Sequence, residues 1–275
     1  MTYATILVHV HSGPAGAGAL RCAASLAGRM DATLVGIGVQ AVPPPPFTDP
    51  TGALAGDWVV AMRETVEGNV KDAHRLFRDA AARLSKPAIW ETGLQMPGPA
   101  VARASRCADL IVVGLPAAGH DDIYSTARPG DLAIEAGRPV LIVPDGAAPL
   151  EGRRIVLAWK DSREARRAMS DGIPLFKRAD EVLVLEVCDP DDAEGAKTRT
   201  DDVAAALGRH GVKAQAKVVA HEPADGHQIL RQASLIGADL IVAGAYGHTR
   251  LGEWIFGGVT RDLLAHTDRY LLFSH

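Results

Sequence analysis

The chain has 275 residues, of which 47% are hydrophobic, and its 29 basic and 33 acidic residues give a net charge of -4. This length allows one large core or two cores of roughly 100–150 residues each. The charge balance gives no electrostatic reason to expect a nucleic-acid partner or a membrane surface. No apolar run reaches the roughly 18–20 residues of a membrane helix, and the N-terminus has no basic start followed by an apolar signal core. We therefore expect a cytoplasmic protein.

The three cysteines, Cys22, Cys107 and Cys188, are scattered and odd in number. Small core residues in a reducing cytosol explain them better than a disulfide or a metal site does. We expect no protein-bound metal site built from them.

Short β-branched runs alternate with helical patterns along the whole chain. In the first half the runs predict strands at 5–10, 33–39, 88–93, 110–113 and 140–143, with a long helix at 58–84. In the second half they predict strands at 155–159, 182–187, 212–219, 240–243 and 270–273, with helices at 163–177, 198–210, 226–236 and 259–266. Near-continuous apolar strands separated by helices indicate an α/β fold with a parallel sheet covered on both faces.

The second half repeats the first. Residues 108–114 read Ala-Asp-Leu-Ile-Val-Val-Gly, and residues 238–244 read Ala-Asp-Leu-Ile-Val-Ala-Gly. The last strands and the opening strands of the two halves also correspond, in the same order, which indicates a duplication. Residues 145–149 form the natural linker, so we predict two five-stranded domains at 1–147 and 152–275. Such sheets bind ligands beyond the carboxyl ends of their strands.

A glycine-rich stretch follows the predicted strand at 240–243. Glycines stand at 244, 247, 257 and 258, and a helical pattern begins at Val259. Glycines let backbone N–H groups crowd around an anion, and the positive N-terminal end of a helix adds to the attraction. The pattern predicts a phosphate-binding loop. Within it His248 and Arg250 either contact a phosphate or form a solvated face.

On these residues the chain resembles a tandem universal stress protein, one polypeptide that carries two copies of that domain. The family's nucleotide signature is Gly, two residues, Gly, nine residues, Gly, then Ser or Thr. Gly244, Gly247 and Gly257 fit it, whereas Gly258 stands where a hydroxyl is expected. Thr260 offers a hydroxyl two residues later. The resemblance implies an adenine-nucleotide alpha-hydrolase-like, Rossmann-like fold, a pseudo-dimer of the two halves, and ATP or a related nucleotide in the second domain.

The resemblance also implies contacts from the strands of the second domain. Ala158 and Trp159 end its first strand, and Trp159 either lines the adenine pocket or is buried packing. Val187 or a neighbour would meet the base. An acidic residue commonly follows the first strand in the family, but Lys160 stands there, and a lysine cannot hold Mg²⁺ as a carboxylate would. We expect weakened nucleotide binding, an uncertain role for Mg²⁺, and no general base or metal carboxylate near the loop.

The first copy of the loop is further from the signature. After Gly114 the second glycine is displaced, Pro116 removes an N–H group, and Asp131 places negative charge at the start of the next helix. We expect no phosphate there.

Three functions stay open at this point. The first is a stress-response regulatory protein that binds a nucleotide and is not an enzyme; the others are a slow ATPase and a protein-interaction module that has lost its ligand. The resemblance implies that the halves associate through their last strands, Val140–Val143 and Leu271–Phe273. A homodimer and an unidentified protein partner are also expected. The segment from His221 to His227 superficially resembles a zinc-protease helix, but its histidine spacing favours a loop in which Asp225 caps the next helix.

Overall fold

The computed structural model describes residues 2–46, 53–116, 122–222, 225–246 and 258–275. The strands in chain order are β1 Thr5–His9, β2 Thr33–Gln40, β3 Ile89–Leu94, β4 Leu110–Gly114, β5 Val140–Val143, β6 Arg154–Trp159, β7 Glu181–Cys188, β8 Ala214–Ala220, β9 Leu240–Gly244 and β10 Tyr270–Ser274. The α-helices are α1 Pro14–Met30, α2 Ala53–Ala81, α3 Pro97–Ala104, α4 Pro129–Glu135, α5 Arg163–Phe176, α6 Ala193–Arg209, α7 Asp225–Ile236 and α8 Gly258–His266. None of these helices, as far as the described residues show, is both long enough and apolar enough to span a membrane.

The strands form one ten-stranded sheet in the order β3-β2-β1-β4-β5-β10-β9-β6-β7-β8. Within each half all pairs are parallel, and the order from edge to centre is the same in both halves. The predicted α/β class, with two five-stranded parallel arrangements that pack as a pseudo-dimer, is confirmed. The domain bounds at 1–147 and 152–275 stay a prediction, because the sheet continues from one half to the other.

The halves meet through the last strand of each, as expected. β5 and β10 pair antiparallel, with Leu272 opposite Leu141 and Leu271 opposite Ile142. The first pair belongs to the apolar cluster on one face of the sheet, and the second belongs to the cluster on the other face. Burial of each such side chain contributes about 1.5–3 kcal/mol, so the seam is stabilised on both faces.

Two helices begin earlier than the apolar periodicity predicts. α2 begins at Ala53 instead of 58 and ends at Ala81 instead of 84, and α6 begins at Ala193 instead of 198. The first turns of these helices are largely exposed; Leu54, for example, is 65% exposed. A helical turn that buries little apolar surface has no apolar residues at helical spacing, so the sequence pattern does not show where the helix begins.

Candidate functional site

The second half has a cavity at the carboxyl end of its strands. β6 pairs with β7 on one side and with β9 on the other, so the connections leave the sheet in opposite directions at this point. The cavity has a volume of about 270 Å³. Six predicted site residues line it: Ala158, Trp159, Val187, Gly244, Gly258 and Thr260. The other three, Gly247, His248 and Gly257, lie outside the described residues, as does Arg250.

Two helices point their N-terminal ends at this cavity. Ser162, Glu164 and Ala165 at the start of α5 line it, and so do Gly258 and Thr260 at the start of α8. The Ser162 hydroxyl accepts a hydrogen bond of 3.2 Å from the Ala165 N–H and caps α5. The positive ends of two helix dipoles favour an anion in the space between them.

The two described glycines of the loop have different roles. A Cβ atom on Gly244 would lie 2.6 Å from the backbone nitrogen of Ala165, so glycine is needed there for the close approach of β9 to α5. A Cβ atom on Gly258 would meet no described atom within 4 Å. As far as the described residues show, position 258 therefore has room for the hydroxyl side chain that the family signature has there.

Trp159 packs in the core and is among the residues that line the cavity. Its side chain is 8% exposed and belongs to an apolar cluster. Its Nε1 atom is buried and has no hydrogen-bond partner among the described residues. An unsatisfied buried N–H group costs about 1–3 kcal/mol.

Sequence reasoning missed the carboxylates of this cavity, and the expectation that none lies nearby was wrong. Glu164 is 7% exposed and lines the cavity together with Asp225. Burial raises the pKa of Glu164, but hydrogen bonds from its own N–H and from Ser162, together with Arg163, outweigh burial and hold it below its usual range. Glu164 is therefore ionised at neutral pH. Its only sequence signal is its place in the first turn of α5.

Asp225 does not cap α7 in the way the sequence predicted. The helix as described begins at Asp225 itself, and its carboxylate Oδ1 lies 2.6 Å from Nδ1 of His221. His227 instead contacts the His266 ring edge-on at 4.8 Å. Among the described residues no cluster of three or more His, Cys, Asp or Glu could hold a metal ion.

Tyr246 connects the cavity to the first half of the molecule. It follows β9 in a left-handed conformation with φ 60°, and its side chain is buried and lines the cavity. A Cβ atom on Gly130, at the start of α4, would lie 2.5 Å from the Tyr246 hydroxyl oxygen. Burial and the nearby charge of Asp131 raise the pKa of Tyr246 to about 12.

The equivalent place in the first half is filled by histidines. Val8 pairs with Val112 as Leu157 pairs with Val242, so His9 holds the position that Ala158 holds in the second half. His9 is 2% exposed, and its Nε2 lies 3.3 Å from the Val39 carbonyl oxygen. Its ring centroid is 5.4 Å from that of His11.

Both histidines are held neutral by their surroundings. Burial lowers the pKa of His9 to about 3, with a further contribution from His11, and burial also lowers the pKa of His11. The Gly13 N–H donates a hydrogen bond of 3.3 Å to His11 Nδ1. The His11 ring therefore accepts from one of the backbone N–H groups at the N-terminal end of α1. At α4, Asp131 stands in the first turn, as the sequence places it.

The fold is α/β, with a cavity at the switch point of strand order in the second half. Residues 152–272 match the model of the universal stress protein family. No curated protein matches the chain by sequence.

Solved structures resemble the chain over both halves. A universal stress protein from Archaeoglobus fulgidus DSM 4304 has a TM-score of 0.72 at 15% identity, covering 98% of this chain and 95% of that one. A functionally unknown protein, PA1789, from Pseudomonas aeruginosa PAO1 has a TM-score of 0.57 at 20% identity, covering 99% of this chain and 92% of that one. At these identities the likeness shows the fold.

Proposed function

We propose that the chain is a tandem universal stress protein of the cytoplasm, with domains at 1–147 and 152–275, that binds ATP or a related nucleotide in the second domain. The observation that carries the proposal is the cavity of the second half, because six residues chosen from the sequence line it together. Nucleotide binding would make the protein a stress-response regulator. The free thiols of Cys22, Cys107 and Cys188 accord with a reducing compartment.

The shape and polarity of the cavity support an adenine nucleotide. Its volume of about 270 Å³ is near the lower end of the roughly 300–1,000 Å³ typical of small-molecule pockets, which is room for a base and part of a ribose. Leu185, Val187 and Ile229 supply an apolar wall. The starts of α5 and α8 favour the phosphates.

The charges of the cavity predict a dependence on Mg²⁺. Glu164 is an ionised carboxylate in the wall and would repel a bare triphosphate, whereas Lys160 at the rim would attract it. Mg²⁺ in proteins is bound by one or two carboxylates together with phosphate oxygens. Glu164 is the residue that would hold such an ion, so Mg²⁺ should strengthen ATP binding.

Equilibrium dialysis with radiolabelled ATP, with and without Mg²⁺, tests the proposal. We expect saturable binding below about 1 mM nucleotide, stronger with Mg²⁺, and a smaller gain from Mg²⁺ in the Glu164→Gln variant. Absence of saturable binding at millimolar ATP would contradict the proposal.

Slow hydrolysis of ATP is a second candidate, and the position of Glu164 favours it. A carboxylate in the cavity wall is a possible water-positioning group. Phosphate release at saturating ATP that Glu164→Gln abolishes would support hydrolysis. Release at the same rate in the variant would leave binding as the function.

A further inference from the structure

A second cavity lies between α1 and the segment that joins the two halves. We call it the linker cavity. It has a volume of about 230 Å³ and is covered by residues 144–150, which connect β5 to β6. Tyr270, the first residue of β10, forms part of its wall. Its lining shares no residue with the lining of the second-half cavity, so this site is separate from the proposed nucleotide site.

One face of α1 presents two guanidinium groups to the linker cavity. Arg21, Ser25 and Arg29 are spaced four residues apart, so they lie on one side of the helix, and all three line the cavity. Among the described residues, neither arginine has a carboxylate within salt-bridge distance, although Arg29 Nη1 donates to the Glu151 carbonyl oxygen at 3.2 Å. Asp145 is the acidic residue in the lining, so the lining carries a net positive charge.

The remaining wall of the linker cavity consists of apolar side chains, a tyrosine hydroxyl that is already hydrogen-bonded, and a buried thiol. Pro14, Val143 and Leu150 supply aliphatic surface. The Tyr270 hydroxyl donates to the Ala148 carbonyl oxygen at 2.8 Å, so this polar group has its partner. The Cys22 thiol is buried at 6% exposure, and burial raises its pKa.

We propose that the linker cavity binds a small organic carboxylate with an apolar body. The carboxylate accepts hydrogen bonds from Arg21 and Arg29, because a guanidinium group matches a carboxylate in charge and in geometry. The body lies against the aliphatic wall and the Tyr270 ring. The volume of about 230 Å³ is below the range for drug-sized ligands, so the ligand has about the size of benzoate.

Benzoate is the probe, and calorimetric titration of the full-length protein is the first measurement. We expect saturable binding of benzoate, with at least tenfold weaker binding of benzyl alcohol, which lacks the charge, and of inorganic phosphate, which lacks the body. The double variant Arg21→Gln/Arg29→Gln should weaken benzoate binding at least tenfold. The control Arg83→Gln removes an exposed arginine that does not line the cavity and should change nothing.

Cys22 reports where the probe binds. Benzoate should slow its alkylation by iodoacetamide, read peptide by peptide, and leave the exposed Cys107 unaffected. Gly18→Leu should abolish benzoate binding, because a Cβ atom there meets Val143 and Arg21 only at ordinary contact distances and leucine would fill the cavity. The proposal is overturned if benzoate does not bind, if benzyl alcohol or phosphate binds equally well, or if Gly18→Leu binds benzoate like the original chain.

Discussion

The two halves of the molecule share their strand order but differ where β1 and β6 end. In the second half Ala158 leaves space at this point, and a cavity opens toward the starts of α5 and α8. In the first half His9 takes the same position, and the His11 ring accepts a hydrogen bond at the start of α1. In the described residues one fold thus carries a cavity at this point in one copy and a buried histidine in the other, because a few side chains at the strand ends differ.

The filled copy also uses its helix ends differently. His11 occupies the N-terminal end of α1, and Asp131 supplies a charge in the first turn of α4. In the second half the first turn of α8 has no acidic residue. The first turn of α8 therefore favours an anion more than the first turn of α4 does, whereas at α1 and α5 the carboxylate lies in the second half, at Glu164.

The largest effect expected is the loss of nucleotide binding when the first half's residue is placed in the second. Ala158→His puts an imidazole into the cavity, as His9 does in the first half, and should weaken ATP binding by about 100-fold or more, roughly 3 kcal/mol. Calorimetric titration with ATP measures it. Ala205→His, at an exposed position of α6, is the matched control and should bind normally. Unchanged binding in Ala158→His would place the nucleotide elsewhere.

The next effect is a decrease in the free energy of unfolding in mild acid, and it is caused by His9 in the first half. The folded pKa of His9 is about 3, below its ordinary value of 6.5, so the unfolded chain binds the proton more readily between these values. The contribution of His9 is complete above pH 6.5 and falls by about 1 kcal/mol for each pH unit below it.

His9→Leu should therefore flatten the dependence of the free energy of unfolding on pH between 5 and 6.5, measured by urea denaturation. His210→Leu, which removes an exposed histidine, should keep the original slope. Equal slopes in His9→Leu and the original chain would show that His9 does not titrate as the structure requires.

The contact between Tyr246 and Gly130 predicts an effect on stability of similar size. Gly130→Ala would place a methyl group 2.5 Å from the Tyr246 hydroxyl oxygen and should lower the free energy of unfolding by about 1–3 kcal/mol. Gly98→Ala is the control, because a Cβ atom there meets nothing within 4 Å. If both variants had the same stability in urea, the packing of Tyr246 against α4 would be excluded.

The smallest expected effect is a gain in ATP affinity. Gly258→Ser restores the hydroxyl of the family signature at a position with room for it and should strengthen ATP binding about tenfold, or about 1.4 kcal/mol. Gly258→Ala has the same backbone restriction without the hydroxyl and should not gain affinity. A gain of equal size in both variants would mean that the hydroxyl does not meet a phosphate.

The strands and their equivalence between the halves could be predicted from the sequence, because local patterns mark them. The β-branched runs placed all ten strands, and the duplicated Ala-Asp-Leu-Ile-Val segment placed β4 and β9 in equivalent positions. The pairing of β5 with β10 was also expected. The exposed first turns of α2 and α6 were missed because nothing packs on them strongly enough to leave a periodic signal.

The candidate site was predicted in part. Six of its residues follow from strand ends and from the glycine spacing, which are local features. Glu164 was missed because its position depends on the close approach of α5 to Gly244, which is a tertiary contact. The place of His9 could have been predicted by aligning β1 with β6, because His9 then corresponds to Ala158 and has an imidazole where Ala158 has a methyl group.

The stoichiometry of nucleotide binding tests the contrast between the halves most directly. Titration of the full-length protein with Mg²⁺–ATP should give one site for each chain, and Ala158→His should remove it. Two sites for each chain, or one site that survives Ala158→His, would contradict the account.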